Sequence, residues 1–450
     1  MPSDPAASVS LRDVLQGRRG GFLLALLFAE FGAAMQGIAY STVLPVVAAD
    51  LDGFGLFGAT LAAGSVAAVL MLSVTAPLLA RVRPGTVLLV ATLLYVAGVA
   101  VSALAPSMVW VLAGTVVRGV AAGLLGGFGM GAIGALFDER ERPRVFGLFA
   151  FVWILPSVLG PAVNALLTEA LGWRWALAWP AAVVLLARAL MGRYVSAVPW
   201  ERRREALRPL VGILVAAALT ASASGSALSG AGGWVLFVAG GVAAAIGTLV
   251  FLSRGAAPAG RMPLIAFAAV CAVYFGVYEL LAVTMLEALD GSLLWAAVAL
   301  TGGLLAWSLA GLRPRPDARP DRPLVGAVLI AAAAGVVVVA LAIGPGAVAV
   351  GCIVGAAVLA GTGMGWAYPL LSSEPFAADA AASTTGTLIA FAETAATAWA
   401  VLVAGGLFSR LEALGVPPWP ALLVCFAGLA ALGLAMIAAT ALRLSARARR

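Results

Sequence analysis

The sequence predicts an all-α polytopic membrane protein, because three observations agree. Fourteen stretches of roughly twenty apolar residues follow one another, and about twenty helical residues are needed to cross a bilayer. Hydrophobic residues make up 63% of the 450-residue chain and charged ones only 10%, which excludes a soluble globular protein. All 27 basic residues are Arg, and 23 of them fall on one side of the predicted spans.

The distribution of Arg predicts the orientation of the chain. Basic residues concentrate in cytoplasmic loops, so we expect both termini in the cytoplasm and the protein in a bacterial cytoplasmic membrane. Arg174 and Arg410 fall on the other side. Arg188 lies within a span, five residues before Arg193, and we expect its side chain to extend to the membrane surface. Because the other Arg residues flank lipid headgroups, no nucleic-acid partner is expected.

The spans fall into three groups. Six precede a basic segment near residue 200, two form a short pair joined by a Ser/Gly turn, and six complete the chain. We therefore expect an N-terminal six-helix bundle over residues 1–200, a basic linker with two extra helices over 201–262, and a C-terminal six-helix bundle over 263–450.

The two six-span groups resemble one another. Residues 40–53 (YSTVLPVVAADLDG) align with residues 278–291 (YELLAVTMLEALDG), each at the end of the first span of its group. Gly-Met-Gly at 129–131 recurs at 363–365, and Glu-Ala-Leu-Gly at 169–172 recurs at 412–415. Three matches in the same order indicate an internal duplication, and transporters built from repeats commonly bind substrate at the repeat interface.

The fifth span carries the most specific motif. Gly147, Pro156, Gly160 and Pro161 follow the spacing of an antiporter motif whose Gly-Pro bends a helix and lets it pack closely. The end of the first span is similar to the first-helix signature of the same family. The chain thus resembles the major facilitator superfamily, in particular its fourteen-span drug:proton antiporter branch.

This resemblance extends over essentially the whole chain, with some departures. Arg118, followed by Gly119, is similar to the family's Arg motif in the fourth helix. Gln36 stands where the branch usually has an acidic residue. The resemblance implies a major facilitator fold, with two six-helix bundles plus two intervening helices.

Besides Arg188, four ionisable residues fall within predicted spans, and we predict that they couple transport to protons: Glu30, Arg118, Glu279 and Glu393. A charge at the bilayer centre costs at least about 2.5 kcal/mol, so such residues usually line a cavity or find a partner. Counting the helical rise from the nearest span end places Glu30 and Arg118 each about 15 Å deep. We hypothesise that they form a pair that protonation of Glu30 breaks, biasing the protein between inward-open and outward-open states. A fixed structural ion pair is the alternative.

A substrate cavity is expected where the two six-span groups meet. Glu279 lies beside Tyr274 and Tyr278, and its repeat counterpart is Ser41, directly after Tyr40. Carboxylates among aromatic rings suit organic cations through charge pairing and cation-π contact. The same carboxylate can take up a proton, and the exchange of one for the other is antiport.

The second group offers a further acidic position. Glu393 has Thr397 one turn along the same helix face, and Gln36 is expected to border the same cavity. Large aromatic side chains such as Trp153 and Tyr368 would suit hydrophobic cargo, although in spans they more often serve packing. The acidic interior favours cationic or neutral amphipathic cargo over anions.

The residue types exclude several other functions. Without His or Lys, the chain has no Ser-His pair, no His-ligated metal site and no phosphate-binding Gly-Lys motif. We therefore expect no enzyme activity, cofactor or metal. The expected function is alternating-access, proton-coupled export of amphipathic organic compounds, with a small organic substrate, protons and membrane lipid as partners of a monomer. A lipid flippase or an uncoupled facilitator of a hydrophobic metabolite is the alternative.

Overall fold

The computed structural model describes residues 11–79, 81–137, 141, 145, 148–149, 152–195, 209–311, 320–377 and 382–448. Within these residues, fourteen helices are long and apolar enough to cross a membrane, which confirms the predicted number. They are α1 (Gly17–Asp50), α2 (Phe57–Leu79), α3 (Pro84–Ala103), α4 (Met108–Leu136), α5 (Ile154–Leu171), α6 (Trp173–Ala178 with Pro180–Tyr194), α7 (Pro209–Ala227), α8 (Gly230–Gly255), α9 (Pro258–Val283), α10 (Leu293–Gly311), α11 (Arg322–Ile343), α12 (Ala347–Ala377), α13 (Ala382–Ala413) and α14 (Pro418–Ala448).

We call α1–α6 the first block and α9–α14 the second block; α7 and α8 form a hairpin between them in sequence. The face on which α1 begins is the terminal face, and the other is the distal face. Four Trp side chains at least half exposed lie near the distal starts of even-numbered helices: Trp110, Trp175, Trp295 and Trp419. Tryptophan favours membrane-water interfaces, so this belt marks the distal boundary of the apolar layer.

The aligned segments of the two blocks end in the same backbone conformation. Asp52 and Asp290, which correspond in the sequence repeat, have φ of 48° and 50°. Gly172 and Gly415 are also matched in the repeat. Gly172 directly follows α5 and Gly415 lies two residues after α13, and their φ angles are 90° and 78°. Left-handed backbone is uncommon for residues other than Gly, so its occurrence at both matched positions agrees with the predicted duplication.

The blocks pack closely at the distal face, where α2 meets α13. A Cβ on Gly58 would overlap the backbone of Gly405, so only residues without side chains permit this approach. The backbone N–H of Gly58 donates to Ser409 Oγ at 3.2 Å. Phe408 packs edge-on against Phe57, with ring centroids 6.0 Å apart. Together these contacts close the distal side of the α2–α13 seam.

The α7–α8 hairpin is fastened to α13. The guanidinium of Arg410, a residue only 4% exposed, donates to the carbonyls of Gly225, of Leu228 at 2.8 Å and of Gly230 at 3.2 Å, all around the hairpin turn. It also lies 4.2 Å from the ring centroid of Trp234. Arg410 is one of the two Arg residues that the sequence places on the side with few basic residues. Its contacts with the hairpin turn explain why a basic residue lies there.

Towards the terminal face, α7 separates α2 from α13. A Cβ on Gly212 would overlap Ser73 of α2 and lie 3.4 Å from Phe391 of α13. Phe251 of α8 packs on Phe391 with ring centroids 4.1 Å apart. The α2–α13 seam is therefore direct on the distal side and filled by the hairpin on the terminal side.

Candidate substrate site between the two blocks

The first block presents one carboxyl to the interface. Glu30 lies on α1, and its Oε1 accepts a hydrogen bond from Trp153 Nε1 at 3.3 Å. Trp153 directly precedes α5, whose close approach to α1 is set by the predicted motif. A Cβ on Gly160 would lie 2.8 Å from Ile38 Cγ2, so this glycine permits the contact, and Pro161 lies inside the same helix.

The other motif residues are placed as follows. Pro156 is a buried residue of α5, and Gly147 lies outside the described residues. Gly160 lets α5 approach α1 closely, as small residues do where helices pack in lipid. The part of the motif that the structure describes thus positions Trp153 beside Glu30.

The second block presents the matching carboxyl. Tyr368 of α12 donates its hydroxyl to Glu393 Oε2 of α13 at 2.8 Å. Glu393 and Glu30 are close enough to interact electrostatically, although they belong to different blocks. Two carboxyl groups, one from each block, therefore lie near one another at the block interface.

Aromatic rings connect these two carboxyls. Trp153 and Trp307 of α10 stack with an interplanar angle of 26° and centroids 6.4 Å apart. Trp307 lies 5.6 Å from Tyr368 and 5.2 Å from Tyr274 of α9. We call Trp153, Trp307 and Tyr368 the aromatic bridge. It joins the blocks through rings whose faces attract cations, with a carboxyl at each end.

A second acidic position lies nearer the distal face. Glu279 of α9 lies close to Ser41 of α1, whose hydroxyl donates to Gly37 O within its own helix at 3.3 Å, so the two repeat counterparts are neighbours across the interface. Tyr274 and Tyr278 stack next to it with centroids 5.8 Å apart. Their hydroxyls and Glu279 Oε2 are buried without a hydrogen-bond partner among the described residues. These three polar atoms are therefore the candidate contacts for a bound molecule at this position.

The remaining predicted cavity residues divide between two environments. Thr397 lies on α13 one turn from Glu393, and its hydroxyl is buried without a partner in the described part of the chain. Gln36 is instead engaged inside the first block, where its Nε2 donates to Leu177 O at 3.2 Å and its Oε1 accepts from Tyr95 at 2.7 Å. Gln36 therefore orders the helices of the first block.

The structure does not bring Glu30 and Arg118 together. The Arg118 guanidinium lies 3.6 Å from the ring centroid of Tyr40, ten residues farther along α1 than Glu30. At 1.5 Å per residue, this is about 15 Å along the helix. The predicted pair is therefore wrong for this conformation. The depth of Glu30 was counted from the terminal face and that of Arg118 from the distal face. Because α1 has 34 residues and is much longer than one bilayer crossing, these two equal depths do not correspond to the same level.

Arg188 was assigned to the membrane surface, and this expectation is also wrong. Arg188 lies close enough to Glu30 and Tyr95 to interact electrostatically with both. Its Nε is buried without a partner among the described residues. Helix α6 lies close to α1, because a Cβ on Gly32 would come within 2.7 Å of Val184 Cγ2. The position of Arg188 along its span does not indicate that α6 packs this closely against α1.

Comparisons with known proteins agree with this architecture. The sequence profile of the Major Facilitator Superfamily matches residues 26–402. The multidrug transporter protein MdtP of Bacillus subtilis is 25% identical over 183 residues, which are 40% of this chain and 34% of that protein. The probable multidrug-efflux transporter Rv1634 of Mycobacterium tuberculosis is 29% identical over 154 residues, 34% of this chain and 32% of that protein. The matched part of the chain spans only about a third of the length of these relatives.

Solved structures show the same fold at low identity. A POT family transporter crystallised with 5-aminolevulinic acid superposes with a TM-score of 0.67 and 14% identity, covering 92% of this chain and 95% of that one. The human organic anion transporter MFSD10 gives a TM-score of 0.58 and 15% identity, with coverage of 94% and 100%. At these identities the likeness concerns the fold alone.

Proposed function

Because the chain belongs to the Major Facilitator Superfamily, whose members are membrane transporters, we propose that it exports amphipathic organic compounds in exchange for protons. The observation that carries this proposal is the aromatic bridge with Glu30 at one end and Glu393 at the other. An organic cation gains from the ring faces and from either carboxylate. A proton can replace it on the same oxygens, so the two ligands compete.

The packing of the blocks indicates which helices have to separate for release at the distal face. The α2–α13 seam is closed by direct contact at the distal face, so an alternating-access cycle has to separate these helices to release cargo there. We place the terminal face in the cytoplasm, because 23 of the 27 Arg residues lie on that side and the exposed Trp belt lies on the other. Release at the distal face is then export.

The names of the relatives support the substrate class. MdtP and Rv1634 are described as a multidrug transporter and a probable multidrug-efflux transporter, and the acidic interface described above has the chemistry for cationic or neutral amphiphiles. We propose a bacterial cytoplasmic membrane as the location and a monomer as the functional unit, since each block interface needed for the site lies within one chain.

The test is efflux of a fluorescent lipophilic cation from cells that express single variants. Glu393→Gln keeps the volume and the contact with Tyr368 but cannot ionise, and Glu30→Gln does the same beside Trp153. Each is expected to reduce pH-driven efflux at least about tenfold. Glu169→Gln, an exposed carboxyl at the distal end of α5, is the matched control and is expected to leave efflux intact. Undiminished efflux in both interface variants would contradict the proposal and favour an uncoupled facilitator or a flippase.

A further inference from the structure

Arg118 is a membrane-embedded cation without a carboxylate. It lies on α4, ten residues from the start of that helix at the distal face. None of the ion pairs among the described residues involves Arg118, and its Nε is buried without a hydrogen-bond partner. An ionisable group inside a membrane is costly and usually kept for function. The unpaired guanidinium therefore calls for an anionic partner that the described chain does not supply.

The neighbours of Arg118 are hydrogen-bond donors. Tyr40, whose ring lies under the guanidinium at 3.6 Å, is only 6% exposed, and its hydroxyl has no partner in the described part of the chain. Tyr95 also lies within electrostatic range of Arg118, but it already donates to Gln36 Oε1 at 2.7 Å. Arg118 and the Tyr40 hydroxyl are thus neighbouring donors without an acceptor among the described residues, and a carboxylate can accept from both kinds of donor.

This donor pair borders the space between the blocks. Helix α4 contacts both α1 and α13, and Ser41, the residue after Tyr40, lies close to Glu279 of the second block. The Arg118 guanidinium and the Glu279 carboxyl therefore lie next to consecutive residues of α1, Tyr40 and Ser41. A molecule bound there meets a cation from one block and an acid from the other.

The mid-span charges also differ between the two blocks, with the basic residues in the first block and an excess of acidic residues in the second. The first block carries Arg118 and Arg188 against Glu30, whereas the second carries Glu279 and Glu393. At mid-span, the described helices of the second block contain no Arg. One excess positive charge thus opposes two negative charges across the interface. A substrate with a single cationic group uses only one side of this arrangement.

We infer that Arg118 and Tyr40 bind the anionic group of an amphoteric substrate, whose cationic group meets the acids of the second block. The inference rests on the proposed export function and narrows its cargo to molecules that carry a carboxylate and an amine on an apolar body. The sequence predicted that anionic cargo is disfavoured, because acidic residues outnumber Arg118 in the spans. The position of the unpaired Arg118 changes this expectation for a substrate that carries both charges.

A matched pair of probes tests the inference. We would compare 4-(aminomethyl)benzoic acid with its methyl ester, which keeps the amine and the ring but lacks the carboxylate, in proteoliposomes under an imposed pH gradient. The wild-type protein is expected to transport the acid at least about tenfold faster at low concentration, since a site built for a polar group rejects analogues that lack it. Equal transport of both, or preference for the ester, would overturn the inference.

Variants then assign the preference to the proposed residues. Arg118→Gln is expected to remove the preference, so that the ratio of acid to ester transport falls to about one, and Arg118→Lys to retain part of it because the charge remains without the planar fork. Tyr40→Phe removes only the hydroxyl and is expected to lower the same ratio. Arg174→Gln, on an exposed side chain, is the matched control. An equal loss for both probes in Arg118→Gln and Tyr40→Phe would indicate a structural role and overturn the inference.

The two proposals fail differently. If the wild-type protein exchanges the ester for protons and does not favour the acid, the export function stands and the amphoteric site is refuted. If neither this pair nor any lipophilic cation moves against protons, the export function itself fails, and the amphoteric site falls with it.

Discussion

Replacement of Arg410 by Ala is expected to release the α7–α8 hairpin from the second block. The guanidinium donates to three carbonyls of the hairpin turn and stacks on Trp234 at 4.2 Å. Alanine removes all four contacts and leaves the carbonyls of Gly225, Leu228 and Gly230 without this donor. The turn is therefore the segment in which the effect should appear.

The magnitude follows from these contacts. Helix-helix hydrogen bonds inside membranes average about 0.6 kcal/mol, and those from a charged donor reach about 1.5 kcal/mol or more. Three bonds at about 1 kcal/mol each, with about 0.5–1 kcal/mol for the cation-π contact, give about 3–4 kcal/mol. If opening of the turn requires these contacts to break, its equilibrium constant rises by about 100-fold to 1000-fold.

Hydrogen exchange of the purified protein, read by mass spectrometry over the hairpin turn, measures this change. Arg174→Ala is the matched control, because Arg174 also stacks on a Trp at 4.1 Å but is 48% exposed and pairs with Asp50 only at 3.8 Å. Arg410→Lys is expected to show an intermediate rate, since one ammonium cannot reproduce the planar fork. Exchange in Arg410→Ala no faster than in Arg174→Ala would refute the assignment of Arg410 as the clamp.

Three further changes test other parts of the structure. Gly58→Val places a side chain where the α2–α13 backbones touch, so maleimide labelling of a Ser409→Cys reporter from the distal side should rise; unchanged labelling would contradict the seam. Trp307→Leu removes the central ring of the aromatic bridge and should raise the half-saturation concentration for a lipophilic cation roughly tenfold, measured by proteoliposome uptake, whereas an unchanged value would exclude a role in binding. A Cβ on Gly406 of α13 would lie 3.0 Å from the Cβ of Ser226 in the hairpin. Cysteines at these two positions should therefore cross-link, and transport should persist because the hairpin and α13 move together. Arrest of transport by the cross-link would show that the two elements move relative to each other.

The fold was accessible from the sequence because its determinants are local. Apolar length sets each span, so the fourteen helices could be counted from the sequence. The repeat alignment went further. It matched Asp52 with Asp290, which share a left-handed backbone. It also made Ser41 the counterpart of Glu279, and the structure places these two residues close together, which the alignment did not predict. Similar sequence in similar helices imposes similar geometry, so the shared backbone conformation of Asp52 and Asp290 is consistent with the alignment.

The site was less accessible because its contacts depend on how far each helix is displaced along its axis. Glu30 and Arg118 were placed at equal depth, but the length of α1 separates them. Arg188 was assigned to the membrane surface because its approach to Glu30 depends on glycine-mediated packing between α1 and α6. Trp307, at the centre of the aromatic bridge, was not singled out because no spacing in α10 distinguishes a bridging Trp from a packing one. The acids were identified by their residue type, and their partners were not.

The most direct test of the account is substrate-evoked proton flux in liposomes that hold the purified protein and an internal pH dye. With an imposed pH gradient, addition of an amphipathic organic cation is expected to evoke proton movement in the opposite direction, and Glu393→Gln is expected to abolish it. Substrate movement without proton flux in the wild-type protein would contradict antiport and identify a facilitator or flippase instead.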